Sequence, residues 1–269
     1  MTAGGRPVVA AARSEWTKLW SVRSSGWTAA ATVVLAVGMG AVAIGTRSRA
    51  AAGSDPTVAS LVGLLVGQLA IGTLGVLAMS AEYGTGTIRA TLAASPRRAR
   101  VLAAKVVVVG AVGLVVGEVA SLGAFAVGQL LLVAGRAPHA SLGQPGVLRA
   151  VLSGGLYLAV LGVLSLGLGA VVRHTAGALA ALAGLLFVLP GIVAVLPTAV
   201  ENAVDRFVPV NIWAVLVAAR PGRLVGFGTP GTGVPTATLF GPWAGLGVLA
   251  GFAAALVVLG GVLLVRRDA

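Results

Sequence analysis

Residues 150–172 read AVLSGGLYLAVLGVLSLGLGAVV, from Ala150 to Val172 without one charged side chain. A hydrocarbon core of about 30 Å is crossed by about 20 helical residues, and this stretch is long enough. In lipid, backbone N–H and C=O groups find partners only within a helix or around a closed barrel. The run is continuous and lacks the period-2 alternation of a barrel strand, so it reads as helix. Four further runs are uncharged: Gly26–Gly45, Pro56–Ala81, Thr175–Val200 and Trp243–Val265. A sixth, Val106–Gly135, carries one acid, Glu118. The fold class is therefore an all-α polytopic membrane protein. Six spans are expected, at about 26–45, 57–80, 104–134, 150–172, 175–197 and 243–265, within a single domain covering residues 1–269.

Composition agrees. A soluble domain carries about 25% charged residues; this chain carries 10%, with 58% hydrophobic residues and a mean hydropathy of +1.02. It has no cysteine, which excludes a disulfide framework and a thiolate metal site. The first apolar run follows about 25 residues containing Arg6, Arg13, Glu15, Lys18 and Arg23 and is long enough to span, so it does not read as a cleavable signal peptide.

The net charge of +12 suggests nucleic acid until its placement is considered. With the N-terminus in the cytoplasm and six crossings, cytoplasmic segments hold Arg6, Arg13, Lys18 and Arg23, the cluster Arg89, Arg97, Arg98, Arg100 and Lys105, then Arg173, Arg266 and Arg267. Fewer basic residues fall outside: Arg47, Arg49, Arg136, Arg149, Arg206, Arg220 and Arg223. The positive-inside rule puts both termini in the cytoplasm. The basic charge sets topology and attracts anionic membrane lipids; no nucleic-acid partner is expected.

Residues 8–23 precede the first span. Val8, Val9, Ala12, Trp16, Leu19 and Trp20 share one helical face, with Ser14 and Lys18 opposite. This is a basic amphipathic helix that lies in the interface, with Trp16, Lys18, Leu19 and Trp20 as its anchoring residues. It reads either as an anchor or as a connecting helix that passes motion from a cytoplasmic partner.

The segment after the second span runs Glu82-Tyr83-Gly84-Thr85-Gly86-Thr87-Ile88-Arg89 and continues to Ser95-Pro96-Arg97-Arg98. Its glycines permit a sharp turn. Thr85 or Thr87 suits a helix N-cap, Ile88 and Leu92 share a face, and Pro96 ends the element. A short cytoplasmic helix with a small apolar face is expected within 82–98.

Elsewhere, Arg173-His174 forms a tight turn between the fourth and fifth spans, and Pro190 lies inside the fifth. Residues 198–242 form the longest connection, external, in which Val208–Ala219 is an interfacial or re-entrant helix. Gln68, Glu118 and Gln129 are polar residues at membrane depth. Glu118 either lines a substrate route or ties helices together, and the two glutamines share that ambiguity. Small-residue pairs at Gly63/Gly67, Gly113/Gly117 and Gly247/Gly251 suit close helix packing but carry little weight among 40 glycines.

No GxxxxGK[ST] loop and no HExxH occurs, and His139 and His174 lie in separate loops. The chain has no ATPase motif, no metal site is expected, and no paired intramembrane carboxylates offer acid–base catalysis.

Two stretches carry a resemblance. They are Ser14-Glu15-Trp16-Thr17-Lys18-Leu19 with Ser21-Val22-Arg23-Ser24, and Glu82 to Arg89 through Ser95-Pro96-Arg97-Arg98, followed by Lys105. With the six-span plan and the terminal Arg266-Arg267-Asp268, the chain resembles permease subunits of ABC-2 type exporters, notably alanine- and glycine-rich actinobacterial ones. The resemblance implies a bacterial plasma-membrane protein that forms half of a permease dimer with a second copy or a sister permease. Each half docks a cytoplasmic ABC ATPase subunit, which holds the ATP and Mg that this chain does not bind. It further implies that Ile88 and Leu92 seat in the ATPase, and that Glu82, Tyr83, Gly84, Thr85, Thr87 and Arg89 shape or contact that coupling segment. The other readings of the residues are a secondary transporter or channel without an ATPase, and a membrane scaffold.

Overall fold

The structure, a computed structural model, describes residues 5–46, 55–87, 98–220 and 240–267. Among the described residues the regular structure is entirely helical. Helix α1 (Gly5–Ser21) leads at Val22 into α2 (Arg23–Gly45). Then come α3 (Pro56–Leu61), α4 (Leu64–Gly84), the long α5 (Arg98–Ala134) and α6 (Val147–Val172). Helix α7 (Thr175–Val193) contains a π turn at Gly184–Val188. The short α8 (Thr198–Val204) and α9 (Pro209–Val217) precede α10 (Pro242–Arg267). Six of these, α2, α4, α5, α6, α7 and α10, are long and apolar enough to cross a membrane.

Helix α6 is the centre. Of its most apolar window 67% is buried, against 22% for α7 and α10 and 28% for α2. It packs against α5, α4 and α10. Its side chains Tyr157, Leu158, Leu161, Leu164 and Leu166 are fully buried in the core. Small residues allow these approaches, as expected where helices associate without a hydrophobic drive. A Cβ on Gly117 would sit 2.5 Å from the Gly155 carbonyl oxygen, and one on Gly75 would sit 2.2 Å from that of Gly162. Of the three glycine pairs singled out in the sequence, Gly63/Gly67 meets the α2 backbone and Gly113/Gly117 meets α6. Gly247 and Gly251 have nothing within 4 Å of an added Cβ among the described residues, so that pair packs against none of them.

Three elements differ from the expected spans. The run 57–80 is broken by a turn at Val62-Gly63 into α3 and α4, where Gly63 crosses α2 so closely that a Cβ would lie 1.9 Å from the Ala36 oxygen. In α7, Pro190 has no N–H to donate. The chain accommodates it by widening the preceding turn, where the Leu189 N–H bonds the Gly184 oxygen, a π-type spacing. The connection expected at 198–242 is structured in its first half. Helix α9 packs on α6 and α10, and every residue from Asn211 to Val217 is buried, Trp213 completely. The helix expected within Val208–Ala219 is thus present, and it is buried in the bundle because its apolar run has core to pack against. Most of the remainder, 221–239, lies outside the described residues.

Candidate functional site

Helix α1 and the end of α10 both meet the first turns of α5, at one end of the bundle. There Arg98, at the start of α5, donates from Nη1 to the carbonyl oxygens of Leu264 (2.8 Å) and Val265 (3.2 Å) at the end of α10. This satisfies acceptors that a helix C-terminus leaves without partners and joins a cation to its negative end.

Two turns further along α5 is Lys105, only 3% exposed. An ammonium group has three donors, and all three are used. Lys105 Nζ bonds Glu15 Oε2 of α1 at 2.7 Å, Glu82 Oε1 of α4 at 2.7 Å and the Ala78 carbonyl oxygen of α4 at 3.0 Å. Lys18 Nζ reaches the other oxygen of Glu15 at 2.8 Å and Glu82 Oε1 at 3.4 Å. Two lysines and two glutamates thus form a neutral cluster that joins α1, α4 and α5. Desolvation of buried ions costs several kcal/mol each, and close, well-bonded geometry offsets it. Burial by itself would raise the Glu15 carboxyl, but the Lys105 and Lys18 ammonium groups hold it below the ordinary carboxylate range. Burial would lower Lys18, and Glu15 and Glu82 hold it above the ordinary lysine value.

The cluster decides how α1 sits. The sequence pattern placed Val8, Val9, Ala12, Trp16, Leu19 and Trp20 on the apolar face. Within 11–20 the structure turns Glu15, 8% exposed, with half-buried Ala12 and Leu19 of that face, toward the bundle. Trp16 and Trp20 remain nearly half exposed, their ring centroids 5.8 Å apart. A buried lysine on α5 requires a counter-charge, and α1 supplies it.

Tyr83, next to Glu82, lies under the guanidinium of Arg173, 5.1 Å from its ring centroid, a cation–π contact. Arg173 occupies the α6–α7 turn in a left-handed conformation (φ 60°). The end of α4 is thereby tied on one side to α1 and α5 and on the other to the α6–α7 turn. The chain leaves α4 through Gly84, Thr85 and Gly86, whose φ of 71° is glycine territory. The Thr85 hydroxyl donates back to the Ala81 oxygen at 2.9 Å and pairs with the Thr87 hydroxyl at 2.9 Å; the helix that either threonine was expected to cap lies outside the described residues. Ile88, Arg89 and Leu92 lie outside the described residues.

The three polar residues noted at depth lie apart, and no hydrogen bond joins them among the described residues. Gln68 accepts from the buried Tyr157 hydroxyl at 2.6 Å and donates to the Leu65 oxygen, tying α4 to α6. Gln129 donates to Ser60 Oγ at 2.8 Å and accepts from the Ala140 N–H at 2.7 Å, fixing the opposite end of the bundle. Glu118 is half-buried against Gly155, where a Cβ would meet its carboxyl at 2.5 Å, and its Oε2 is buried with no hydrogen-bond partner among the described residues.

The pairing of Lys105 with Glu15 was not read from the sequence. A signal was present: Lys18 and Lys105 are the only lysines, and a lysine at the edge of an apolar run calls for a partner.

No curated protein matches the chain in sequence. The family described as "ABC-2 family transporter protein" matches residues 21–269. The match takes in every membrane-crossing helix and two of the four cluster residues, Glu82 and Lys105; the chain belongs to the ABC-2 family of transporter membrane proteins.

Proposed function

We propose that this transport permease is the membrane subunit of an ATP-driven exporter, and that its terminal end faces the cytoplasm and receives force from a separate ATPase subunit. The observation that carries the reading is the saturated Lys105 ammonium, which joins α1, α4 and α5 immediately before the 82–98 segment. Ile88 and Leu92 provide the apolar contact with the ATPase. Glu82 and Tyr83 relay its movement, Glu82 to α1 and α5 and Tyr83 to the α6–α7 turn. ATP and Mg bind the partner, and closure of the ATPases shifts the population between inward- and outward-open bundles. A second permease copy or a sister permease completes the pathway, with the sparsely buried faces of α2, α7 and α10 available to it or to lipid. The basic residues of this end, Arg98, Arg100, Arg173 and Arg266 among them, support the orientation.

Native co-purification in mild detergent, with mass spectrometry, tests the reading. The expected result is a stoichiometric soluble subunit with a P-loop, lost in the Ile88→Asp/Leu92→Asp variant while membrane insertion persists. A stable complex without an ATPase would overturn it in favour of a secondary transporter or a scaffold.

A further inference from the structure

Helices α5 and α10 meet along a seam in which Leu102 and Leu264 are buried. Gly261 lets them approach, since a Cβ there would lie 3.1 Å from Leu102 Cδ2. Beside the seam runs an open groove of about 760 Å³, lined by Ala103 and Val107 of α5 and by Val258 and Val262 of α10, with Arg266 at its terminal end. Its walls are valines that the chain itself does not cover: Val107 is 56% exposed and Val258 65%. From Arg266 back to Val257, the far end of the groove on α10, is about 13 Å of helix. That is close to half of a hydrocarbon core of about 30 Å, so the groove has the depth of one leaflet. At Val106, Val257 and Val258 it adjoins a second space of about 410 Å³ between α5, α6 and α10, lined only by glycine, alanine and valine.

The mouth of the groove is cationic. The Arg266 side chain is exposed and makes no hydrogen bond or ion pair among the described residues. Arg100, two turns before Val107 on the same stripe of α5, makes none among them either. Arg98 already serves the Leu264 and Val265 carbonyls, so the end of α10 does not call on these two. The described acids of this end, Glu15 and Glu82, are paired with Lys18 and Lys105. A second copy of the chain would therefore bring cations to this face and, among the described residues, no free acid to meet them. We propose that the groove between α5 and α10 seats an anionic phospholipid of the leaflet at the terminal end. One acyl chain lies along Val107, Val258 and Val262, and the phosphate meets the guanidinium groups of Arg266 and Arg100, whose paired N–H donors match phosphate oxygens. A zwitterionic lipid fills the groove equally well but brings its own cation beside two arginines. The site goes beyond the coupling reading: lipid joins α5 to the sparsely buried α10, whatever drives the bundle.

Photolabelling tests the site. The full chain, with any subunit that co-purifies, is placed in phosphatidylcholine nanodiscs with a trace of phosphatidylglycerol that carries a photoactivatable group midway along one acyl chain. Labelled residues are mapped by mass spectrometry. Helix α7, where Phe187, Val188 and Ile192 are also exposed, reports ordinary contact with bulk lipid. The expected result is labelling of 103–107 and 257–262 above that of α7. Unlabelled phosphatidylglycerol should displace it about tenfold better than phosphatidylethanolamine, the scale of two arginines near a membrane surface, and in Arg100→Gln/Arg266→Gln the two lipids should compete within about twofold. Val258→Trp, which fills the groove and keeps both arginines, should bring the labelling down to that of α7. Labelling no higher than on α7 in the unmodified protein, equal displacement by the two lipids, a full preference surviving in the double arginine variant, or enrichment surviving in Val258→Trp would each overturn the proposal. Crosslinks between copies across α10 in place of lipid label would overturn it in favour of a second copy as the occupant. The lipid competition uses the unmodified protein, so it decides the matter even if a variant folds poorly. The assay needs neither ATPase nor transport, so its failure leaves the coupling reading standing.

Discussion

The two ends of the bundle are held by different chemistry. At the terminal end, full charges on α1, α4 and α5 meet one another, Lys105 and Lys18 against Glu15 and Glu82, beside the backbone bonds of Lys105 to Ala78 and of Arg98 to the end of α10. At the opposite end, polar side chains mostly bind backbone. Asp55 caps α3 through the Thr57 N–H at 2.8 Å and takes the Ala219 N–H at 2.9 Å with its other oxygen. Arg149 donates to the carbonyl oxygens of Leu216, within the last turn of α9, and Ala218, just past it. A backbone acceptor has a fixed position, so these bonds staple one geometry. Paired long side chains keep their contact over a range of positions. The comparison teaches that the end built of side-chain pairs is the one suited to relative movement, and the stapled end is the one suited to hold.

The sharpest way to break the contrast is Lys105→Met. It leaves Glu15 and Glu82 facing one another without their buried partner, at a cost of about 3–5 kcal/mol. Thermal unfolding in detergent should show the loss, and limited proteolysis should show cleavage near Arg13 as α1 detaches. Adding Glu15→Gln should recover part of it; an additive double mutant would mean that the two residues are not coupled. At the stapled end, Arg149→Gln should cost about 2–3 kcal/mol by leaving two buried carbonyls short of a charged donor, while proteolysis near Arg13 stays at the unmodified rate. Release of α1 in that variant would sink the independence of the two ends.

A smaller effect comes from the helix contacts between the ends. Gly117→Ala pushes a methyl toward the Gly155 carbonyl and should cost about 1–3 kcal/mol. Gly251→Ala meets open space among the described residues and should be neutral, or stabilising by up to about 1 kcal/mol through helix propensity. A large loss at Gly251 would place that face against a second subunit.

The smallest effect is that of pH near neutrality. Glu15 is held below its ordinary value, so its contribution is complete above the ordinary carboxylate range and is lost as pH falls through the depressed value. Lys18 is held above its ordinary value, so its contribution is complete below the ordinary lysine range and is lost as pH rises through the raised value. Stability of the α1 contact should therefore be flat from about pH 6 to 9. A transition near pH 7 in α1 proteolysis would contradict this assignment.

How far the sequence could be read follows from the range of each signal. The membrane-crossing helices are legible because each is specified by its own apolar run, uncharged in all but the one that holds Glu118, and the Arg173-His174 turn by its interruption of one. Helix α9 announces an apolar segment too short to span, but its burial depends on α6 and α10, far away in the chain. The glycine pairs show the same limit: Gly113/Gly117 and Gly247/Gly251 have one pattern and opposite surroundings. At the candidate site, Glu82 was legible from its place beside a glycine-rich turn, whereas Glu15 and Lys105 are separated by 90 residues. Periodicity assigned α1 its membrane face but could not register that Glu15 is buried against Lys105.

The order of the cluster along the chain has a consequence for biosynthesis. Glu15, Lys18 and Glu82 all precede Lys105. A ribosome delivering the chain from the N-terminus therefore presents the membrane with both carboxylates before the lysine that they neutralise. When α5 emerges, its most burdensome residue meets acceptors already in place. The first three membrane-crossing helices then form a charge-complete unit before α6, the centre of the finished bundle, has been translated.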